Sequence, residues 1–298
     1  MRERLVPVGP FDFQKMLRRP LSRPSKVTAI DPEKPSYTTA IKLTTRVVPV
    51  MVVGEGTIEE PVLRLVYPDD LSNEEQDEVR VRIARMFSAN VNMQAFYSQM
   101  ILLPQWDGLI NKLYGLHPIH DADLFESMVK VIIGQQLNVK FAATLVERLV
   151  DVGGDVVEWN GSSLPVFPSP EQVARCSYDD LRALSFSQRK AEYVIDFARA
   201  VVDGRVDLER FWDIPDDQIY DVLTPLRGIG GWTVECFLLF GMGRPDVMPA
   251  ADVGVQNAVQ RLYGMVQRPK ETEMRRLAEP WTPYRSYATY YLWQILIH

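Results

Sequence analysis

Three glycines within eight residues make one short stretch of this chain the first candidate for binding chemistry. Residues 226–233 read LRGIGGWT and lie between two predicted helices. Gly228, Gly230 and Gly231 can adopt backbone angles that other residues rarely adopt, and Ile229 can anchor the turn in a hydrophobic core. The second helix begins at once, so its free amide groups and positive dipole end can bind a phosphate. A bare Gly-x-Gly is by itself more typical of an ordinary turn between helices.

Asp252 is the carboxylate whose position suggests a chemical role. It lies twenty positions after Trp232, beyond a predicted helix and a loop over 241–251 that is rich in glycine and proline. An aspartate at the start of a helix commonly caps it by accepting a backbone N–H bond. A carboxylate fixed in a cleft can also stabilise positive charge that develops on a substrate. The two roles are compatible.

The order of hairpin, helix, Gly/Pro-rich loop and aspartate resembles the signature of the helix-hairpin-helix (HhH-GPD) DNA glycosylase superfamily. The resemblance implies that Asp252 is the catalytic residue. Departure of a base leaves positive charge on deoxyribose, and a carboxylate beside C1′ can stabilise that charge or activate water. The hairpin residues that the resemblance assigns to DNA binding are Gly228, Ile229, Gly230, Gly231 and Thr233.

Trp232 indicates the type of glycosylase. Members of the superfamily that also cleave the strand use a hairpin lysine to form a Schiff base with the sugar, and Trp232 occupies the matching position. The chain also lacks the cysteine cluster of the endonuclease III branch. We therefore expect a monofunctional glycosylase that hydrolyses the N-glycosidic bond and leaves an abasic site. The alternatives are a glycosylase for oxidised or deaminated bases, with or without lyase activity, and a catalytically inactive DNA-binding protein that retained the hairpin.

Residues 131–139, VIIGQQLNV, resemble the segment of the 3-methyladenine DNA glycosylase II (AlkA-like) branch that inserts a wedge into DNA. A protruding side chain can fill the gap that an extruded base leaves in the stack. The resemblance places Gln136, or alternatively Leu137, in that position. Without the resemblance, this segment would be an amphipathic helix that tolerates Gly134.

Residues 281–288, WTPYRSYA, are similar to a pattern of the alkylpurine glycosylases. This similarity implies that Tyr284 lines the substrate pocket together with Trp232 and Cys236, and that Arg285 contacts DNA. Aromatic faces attract a cationic alkylated purine more strongly than a neutral one, so we expect substrates of the 3-methyladenine type. Two further aromatic residues near the C-terminus, Tyr287 and Trp293, are expected to be core residues instead.

The elements that must position these residues change in type along the chain. Strand patterns over 37–67, with a turn at 54–56, are followed by a capping box at Ser72 and Glu75. After about residue 115 helical periodicity dominates. We expect a mainly α protein, with an N-terminal α+β (TBP-like sheet) domain over 1–115 and a helical HhH-GPD glycosylase domain over 116–298. The predicted helices of the second domain span 123–150, 187–202, 216–226, 231–241, 252–263, 271–278 and 285–297.

Composition limits the cofactors and the cellular setting. Two cysteines and three histidines are too few for a disulfide framework, a structural zinc site or an iron–sulfur cluster, so we expect no metal ligands and no cofactor. The resemblance adds a monovalent cation held by the hairpin carbonyls. The sequence contains neither a membrane-length apolar run nor a signal peptide, so we expect a cytoplasmic, nucleoid-associated protein without membrane contact.

The expected partner is double-stranded DNA with damaged bases, bound by a monomer. The net charge of −6 is the main feature that opposes this expectation, because proteins that bind nucleic acid usually carry a basic surface. Phosphates must then be held locally, by helix amides and a few basic side chains.

Overall fold

The N-terminal part forms a five-stranded antiparallel sheet in a computed structural model that describes residues 2–23 and 25–296. Burial alternates along its strands, so one face of the sheet packs on the core: Leu63 and Leu65 are fully buried, whereas Arg64 between them is half-buried. The predicted turn at 54–56 is wrong, because the strand continues to Gly56 and the chain turns over 57–60. The strands, in the sheet order β1-β5-β4-β3-β2, are β1 (Arg2–Leu5), β5 (Pro61–Val66), β4 (Val47–Gly56), β3 (Ser36–Lys42) and β2 (Thr28–Asp31).

Short helices cover this sheet. The predicted capping box is confirmed, since the Ser72 hydroxyl accepts the Glu75 N–H and the Glu75 carboxylate accepts the Ser72 N–H. Phe87, directly after that helix, packs its ring against Tyr37 of the sheet. The helices of this part are α1 (Phe13–Met16), α2 (Arg18–Leu21), α3 (Asn73–Met86), α4 (Met93–Met100) and α5 (Asp107–Leu113).

Helices dominate the rest of the chain. This order of elements confirms the predicted fold class. One small hairpin of β6 (Val156–Trp159) and β7 (Ser162–Pro165) was not expected, because strands this short carry little periodic signal. The helices are α6 (Leu124–Gly134), α7 (Val139–Gly153), α8 (Pro170–Arg175), α9 (Tyr178–Ala183), α10 (Gln188–Val202), α11 (Asp216–Leu223), α12 (Gly231–Phe240), α13 (Val253–Leu262), α14 (Glu271–Leu277) and α15 (Arg285–Gln294).

The single helix predicted over 123–150 is wrong, because the chain breaks at 135–138 into α6 and α7. Gln136 adopts a left-handed backbone with φ of 56°, and the Asn138 side chain then caps α7 by accepting the Phe141 N–H. The break matters because it lies beside the glycine hairpin. At the C-terminus, α15 ends at Gln294, and Ile297 of the predicted helix lies outside the described residues.

Two hydrophobic clusters hold these elements together. The first combines the sheet and its helices with α13 and α15, where the hydroxyls of Tyr97 and Tyr291 lie 2.9 Å apart. The second joins α6, α7, α10 and α12, where Phe125 stacks on Phe197 with ring centroids 5.8 Å apart. The domain boundary at 115–116 stays a prediction. Within residues 2–23 and 25–296, the helices lack the combined length and apolar character that a bilayer span needs.

Candidate active site

One large cavity, of about 1450 Å³, gathers most of the residues that the sequence singled out. Its wall is built from α2, the break between α6 and α7, the glycine hairpin, and parts of α12, α13 and α15. The predicted site residues that line it are Asp252, Trp232, Cys236, Gln136, Leu137, Gly228, Ile229, Gly230 and Thr233.

Three N–H donors hold the Asp252 carboxylate. Oδ1 accepts the backbone N–H of Val255 at 2.8 Å, so the predicted helix cap is confirmed. The indole Nε1 of Trp293 donates to the same oxygen at 3.2 Å, and the indole Nε1 of Trp232 donates to Oδ2 at 3.2 Å. Asp252 also remains half-exposed to the cavity. Capping therefore leaves the carboxylate oriented and accessible.

Gly254, two residues after the cap, leaves room for the contact between Asp252 and Trp293. A Cβ on Gly254 would lie 3.0 Å from Asp252 Oδ1 and 3.2 Å from Trp293 Nε1. A side chain there would thus press on the hydrogen bond that joins the indole to the carboxylate. The missing side chain lets α15 bring its tryptophan up to the first turn of α13.

Trp293 is a site residue that sequence reasoning assigned to the core alone. It is buried, with 8% of its surface exposed, and its ring stacks on Phe240 at 4.9 Å. It nevertheless lines the cavity and bonds to Asp252. The available signal was its spacing of three from Tyr290, which places both aromatic residues on one face of α15. Nothing local in the sequence indicates that this face meets α13.

The glycine hairpin presents backbone to the cavity. Gly228 has φ of 87°, and a Cβ there would lie 2.3 Å from the ring of Tyr193, so only glycine fits. Ile229 is buried in the second cluster. Gly230 is the N-cap of α12 without a side-chain hydrogen bond, and Gly230 and Gly231 are exposed. The first amides of α12 are therefore available to an anion.

The break after α6 is tied directly to this hairpin. The side-chain amide of Gln135 donates to the Gly228 carbonyl at 2.8 Å and to Thr233 Oγ1 at 2.9 Å. The next residue, Gln136, is exposed at the cavity, whereas Leu137 is half-buried against the second cluster. Of the two wedge candidates, Gln136 is the one that protrudes.

Lys190 of α10 supports the break between α6 and α7. Its ammonium donates to the carbonyls of Ile132 and Gln135, at 3.0 Å each. Burial lowers the pKa of Lys190 to about 8. The side chain thus satisfies carbonyls that the end of α6 leaves without helical partners.

Three predicted site residues do not line the cavity: Gly231, which is exposed at the start of α12, Tyr284 and Arg285. Tyr284 precedes α15 and packs its ring against Tyr287 at 6.1 Å, while the guanidinium of Arg285 pairs with Asp246 at 2.7 Å. The reason is the length of α15, whose later turns reach the cavity while its first turn faces elsewhere. Cys236 does line the cavity, and burial raises the pKa of its thiol well above the usual value. It contributes shape and not a nucleophile.

Among the described residues, no group of three or more His, Cys, Asp or Glu side chains is arranged to hold a metal ion. The groups that surround the Asp252 carboxylate in the cavity are indole donors and backbone amides.

Comparisons with known proteins agree with this arrangement. Residues 129–283 match a family model described as HhH-GPD superfamily base excision DNA repair protein. A Bacillus subtilis DNA-3-methyladenine glycosylase is 33% identical over 221 residues, which cover 74% of this chain and 73% of that relative. The protein YfjP of the same organism is 42% identical over 174 residues, 58% of this chain and 59% of its own length.

A solved structure extends the similarity to the whole fold. The 3-methyladenine DNA glycosylase from Archaeoglobus fulgidus superposes with a TM-score of 0.85 at 28% identity. The superposition covers 98% of this chain and 97% of that one, so it includes the N-terminal sheet that the family model leaves out.

Proposed function

Because the chain belongs to the HhH-GPD superfamily of base excision DNA repair proteins, we propose that it is a monofunctional DNA glycosylase that removes alkylated purines from duplex DNA. The observation that carries the proposal is the Asp252 carboxylate, which two indoles and a backbone amide fix inside a cavity large enough for a nucleotide. The relatives named as 3-methyladenine glycosylases support the substrate class.

In the proposed reaction, the bond between C1′ and the base nitrogen breaks and its electron pair leaves with the base. Alkylation makes the purine cationic, so it departs as a neutral molecule. Positive charge develops on the sugar, and the carboxylate of Asp252 stabilises it from a fixed position. Water then adds to C1′ and loses a proton. Trp232 offers no amine at the hairpin, so no covalent sugar adduct forms there.

Binding would use the backbone more than basic side chains. The exposed amides at Gly230 and Gly231 would hold a phosphate at the positive end of α12. Gln136, exposed beside the hairpin, would enter the stack where the extruded base leaves a gap. One chain carries both features, so we propose that a monomer acts on the duplex.

A monovalent cation at the hairpin is a further part of the proposal. The carbonyl of Leu226 accepts the Ile229 N–H, and that of Gly228 accepts the Gln135 amide. Each of these oxygens keeps a second lone pair, and such neutral oxygens suit Na⁺ or K⁺. A cation there would add positive charge beside the phosphate. The reaction itself requires no cofactor.

Duplex DNA treated with a methylating agent tests the function. Wild type should release methylated purines, measured by chromatography of the free bases, and Asp252→Asn should be slower by about two to three orders of magnitude. Asp252→Asn should still bind duplex DNA that carries an abasic-site analogue. Equal release by both proteins would remove Asp252 from the mechanism, and an adduct trapped by borohydride would contradict simple hydrolysis.

A further inference from the structure

The cavity wall contributed by the N-terminal part contains a guanidinium enclosed by aromatic rings. Arg19 of α2 lies with its Cζ 5.1 Å from the ring centroid of Phe240, 5.2 Å from that of Tyr290 and 5.3 Å from that of Trp293. All four residues line the cavity that holds Asp252. Trp293 connects the two groups, since its ring faces Arg19 and its Nε1 bonds to the carboxylate.

One end of this guanidinium has no partner. The Nη1 atom of Arg19 is buried and makes no hydrogen bond within the described part of the chain, and no carboxylate there lies within 4.0 Å. Burial lowers the pKa of Arg19, yet an arginine side chain stays protonated in proteins. A buried, charged donor without an acceptor is costly. Such a group is typical of a site that a ligand completes.

We propose that Arg19, which is half-buried and lines the cavity, selects among damaged bases by donating a guanidinium N–H to a ring carbonyl oxygen of the base. The inference rests on the proposed function and defines its substrate class more narrowly. Among methylated purines it favours 7-methylguanine, which carries a carbonyl at C6, over 3-methyladenine, which carries an amino group there. Hypoxanthine, a neutral purine with the same carbonyl, falls in the favoured class.

The three rings around Arg19, those of Phe240, Tyr290 and Trp293, form an aromatic cage that gives a second reason for this preference. Ring faces can select cationic bases, because the negative face of an aromatic ring attracts a cation. On this wall, however, the faces of Phe240, Tyr290 and Trp293 are already engaged by the cation of Arg19. A positive charge on the base gains little from these rings and meets a like charge. Hydrogen bonding to the guanidinium therefore distinguishes lesions on this side of the cavity.

Methylated duplex DNA tests the inference, because it presents both lesions, equal in charge, to one enzyme. The readout is the ratio of 7-methylguanine to 3-methyladenine released initially under competition, divided by the ratio of the two lesions in the DNA, which gives the ratio of their kcat/KM values. Arg19→Met should lower this ratio by about ten- to a hundredfold, the effect expected for one hydrogen bond from a charged donor. It should also slow release of hypoxanthine from a duplex by a similar factor.

Arg23→Met is the matched control, because Arg23 lines the same cavity but belongs to no aromatic cage among the described contacts. It can weaken binding to DNA, which affects both lesions equally and leaves the ratio unchanged. Circular dichroism and thermal unfolding establish that each variant folds. If Arg19→Met does not fold, Arg19→Leu decides: like methionine, leucine has no N–H donor in its side chain, and the ratio should fall in the same way.

An unchanged ratio in a folded Arg19 variant, or the same fall in Arg23→Met, would overturn the inference while leaving the glycosylase function standing. Failure of the wild type to release any base would instead overturn the proposed function. The two failures are thus distinguished within one experiment.

Discussion

At the scale of single residues, the two oxygens of Asp252 are held unequally. Oδ1 accepts two donors, the Val255 amide and the Trp293 indole, whereas Oδ2 accepts only the Trp232 indole among the described residues. Loss of the Trp293 indole therefore leaves Oδ1 with one donor, whereas loss of the Trp232 indole leaves Oδ2 with none. The backbone cap persists in either case, since it depends on neither tryptophan.

This asymmetry predicts a ranking of two variants. Trp293→Phe leaves Oδ1 with its backbone donor, so we expect kcat to fall by up to about tenfold. Trp232→Phe leaves Oδ2 without a donor, so we expect a larger loss, about ten- to a hundredfold. Single-turnover rates on methylated DNA measure both, and each phenylalanine retains an aromatic wall. A larger loss in Trp293→Phe than in Trp232→Phe would contradict the ranking.

The sequence could locate the carboxylate but not all of its neighbours. Asp252, Trp232 and the hairpin lie within 26 residues of one another, and local motifs specify them. Trp293 reaches Asp252 only because α13 packs on α15, and Arg19 reaches the cavity from the other end of the chain. Tyr284 was assigned to the pocket from a local pattern, whereas the packing of α15 brings a later turn there. Such long-range contacts have no local signature.

At the scale of elements, the hairpin depends on glycines for different reasons. Gly228 needs its left-handed backbone and the space beside Tyr193, whereas a Cβ on Gly230 would meet nothing within 4 Å. The first supports the shape of the turn. The second keeps the start of α12 uncovered.

Alanine at these two positions should therefore affect the stability of the protein to different extents. We expect Gly228→Ala to lower the free energy of unfolding by about 1–3 kcal/mol, because alanine is strained at a φ of 87° and Tyr193 must move. Gly230→Ala should change it by no more than about 0.5 kcal/mol. Urea unfolding followed by circular dichroism gives both values. A Gly228→Ala protein as stable as the wild type would show that the hairpin does not need this backbone conformation.

Helix ends were predicted well where a side chain caps them and poorly where tertiary contacts decide. Asp252 caps α13 as predicted, and Ser187, where a helix was predicted to begin, caps α10. The break between α6 and α7 was missed because apolar residues such as Leu145 and Leu149 continue a helical pattern beyond it. It is stabilised by Lys190 and Gln135, whose partners lie 55 or more residues away in sequence. Periodicity alone does not reveal such contacts.

At the scale of the whole molecule, the cavity lies where the two hydrophobic clusters meet. Gln136 and the hairpin extend from the helical cluster, while Arg19 comes from the N-terminal part and Asp252 from α13, which packs into the first cluster. The N-terminal sheet thus matters for the site although the family match begins only at residue 129. It supports the wall that carries Arg19.

The charge of the molecule leads to a prediction about DNA binding. With a net charge of −6, phosphate contacts must be few and local, so the logarithm of the binding constant should fall with the logarithm of salt concentration with a slope of only about −2 to −3. Fluorescence anisotropy with a duplex carrying an abasic-site analogue, between about 50 and 200 mM KCl, measures this slope. A slope steeper than about −5 would contradict local binding and require a basic surface.

The salt dependence of an Arg227 variant can show whether the phosphate contact lies at the hairpin. Arg227 lies next to Gly228 with 63% of its side chain exposed, and it pairs with Glu192 at 2.9 Å. If it faces a phosphate, Arg227→Ala should make the slope shallower by about one. Arg182 is the matched control, since it is 53% exposed and pairs with Asp179 on α9, and its alanine variant should leave the slope unchanged. Equal shifts in both variants would mean that the whole surface charge, and not the hairpin, sets the salt dependence.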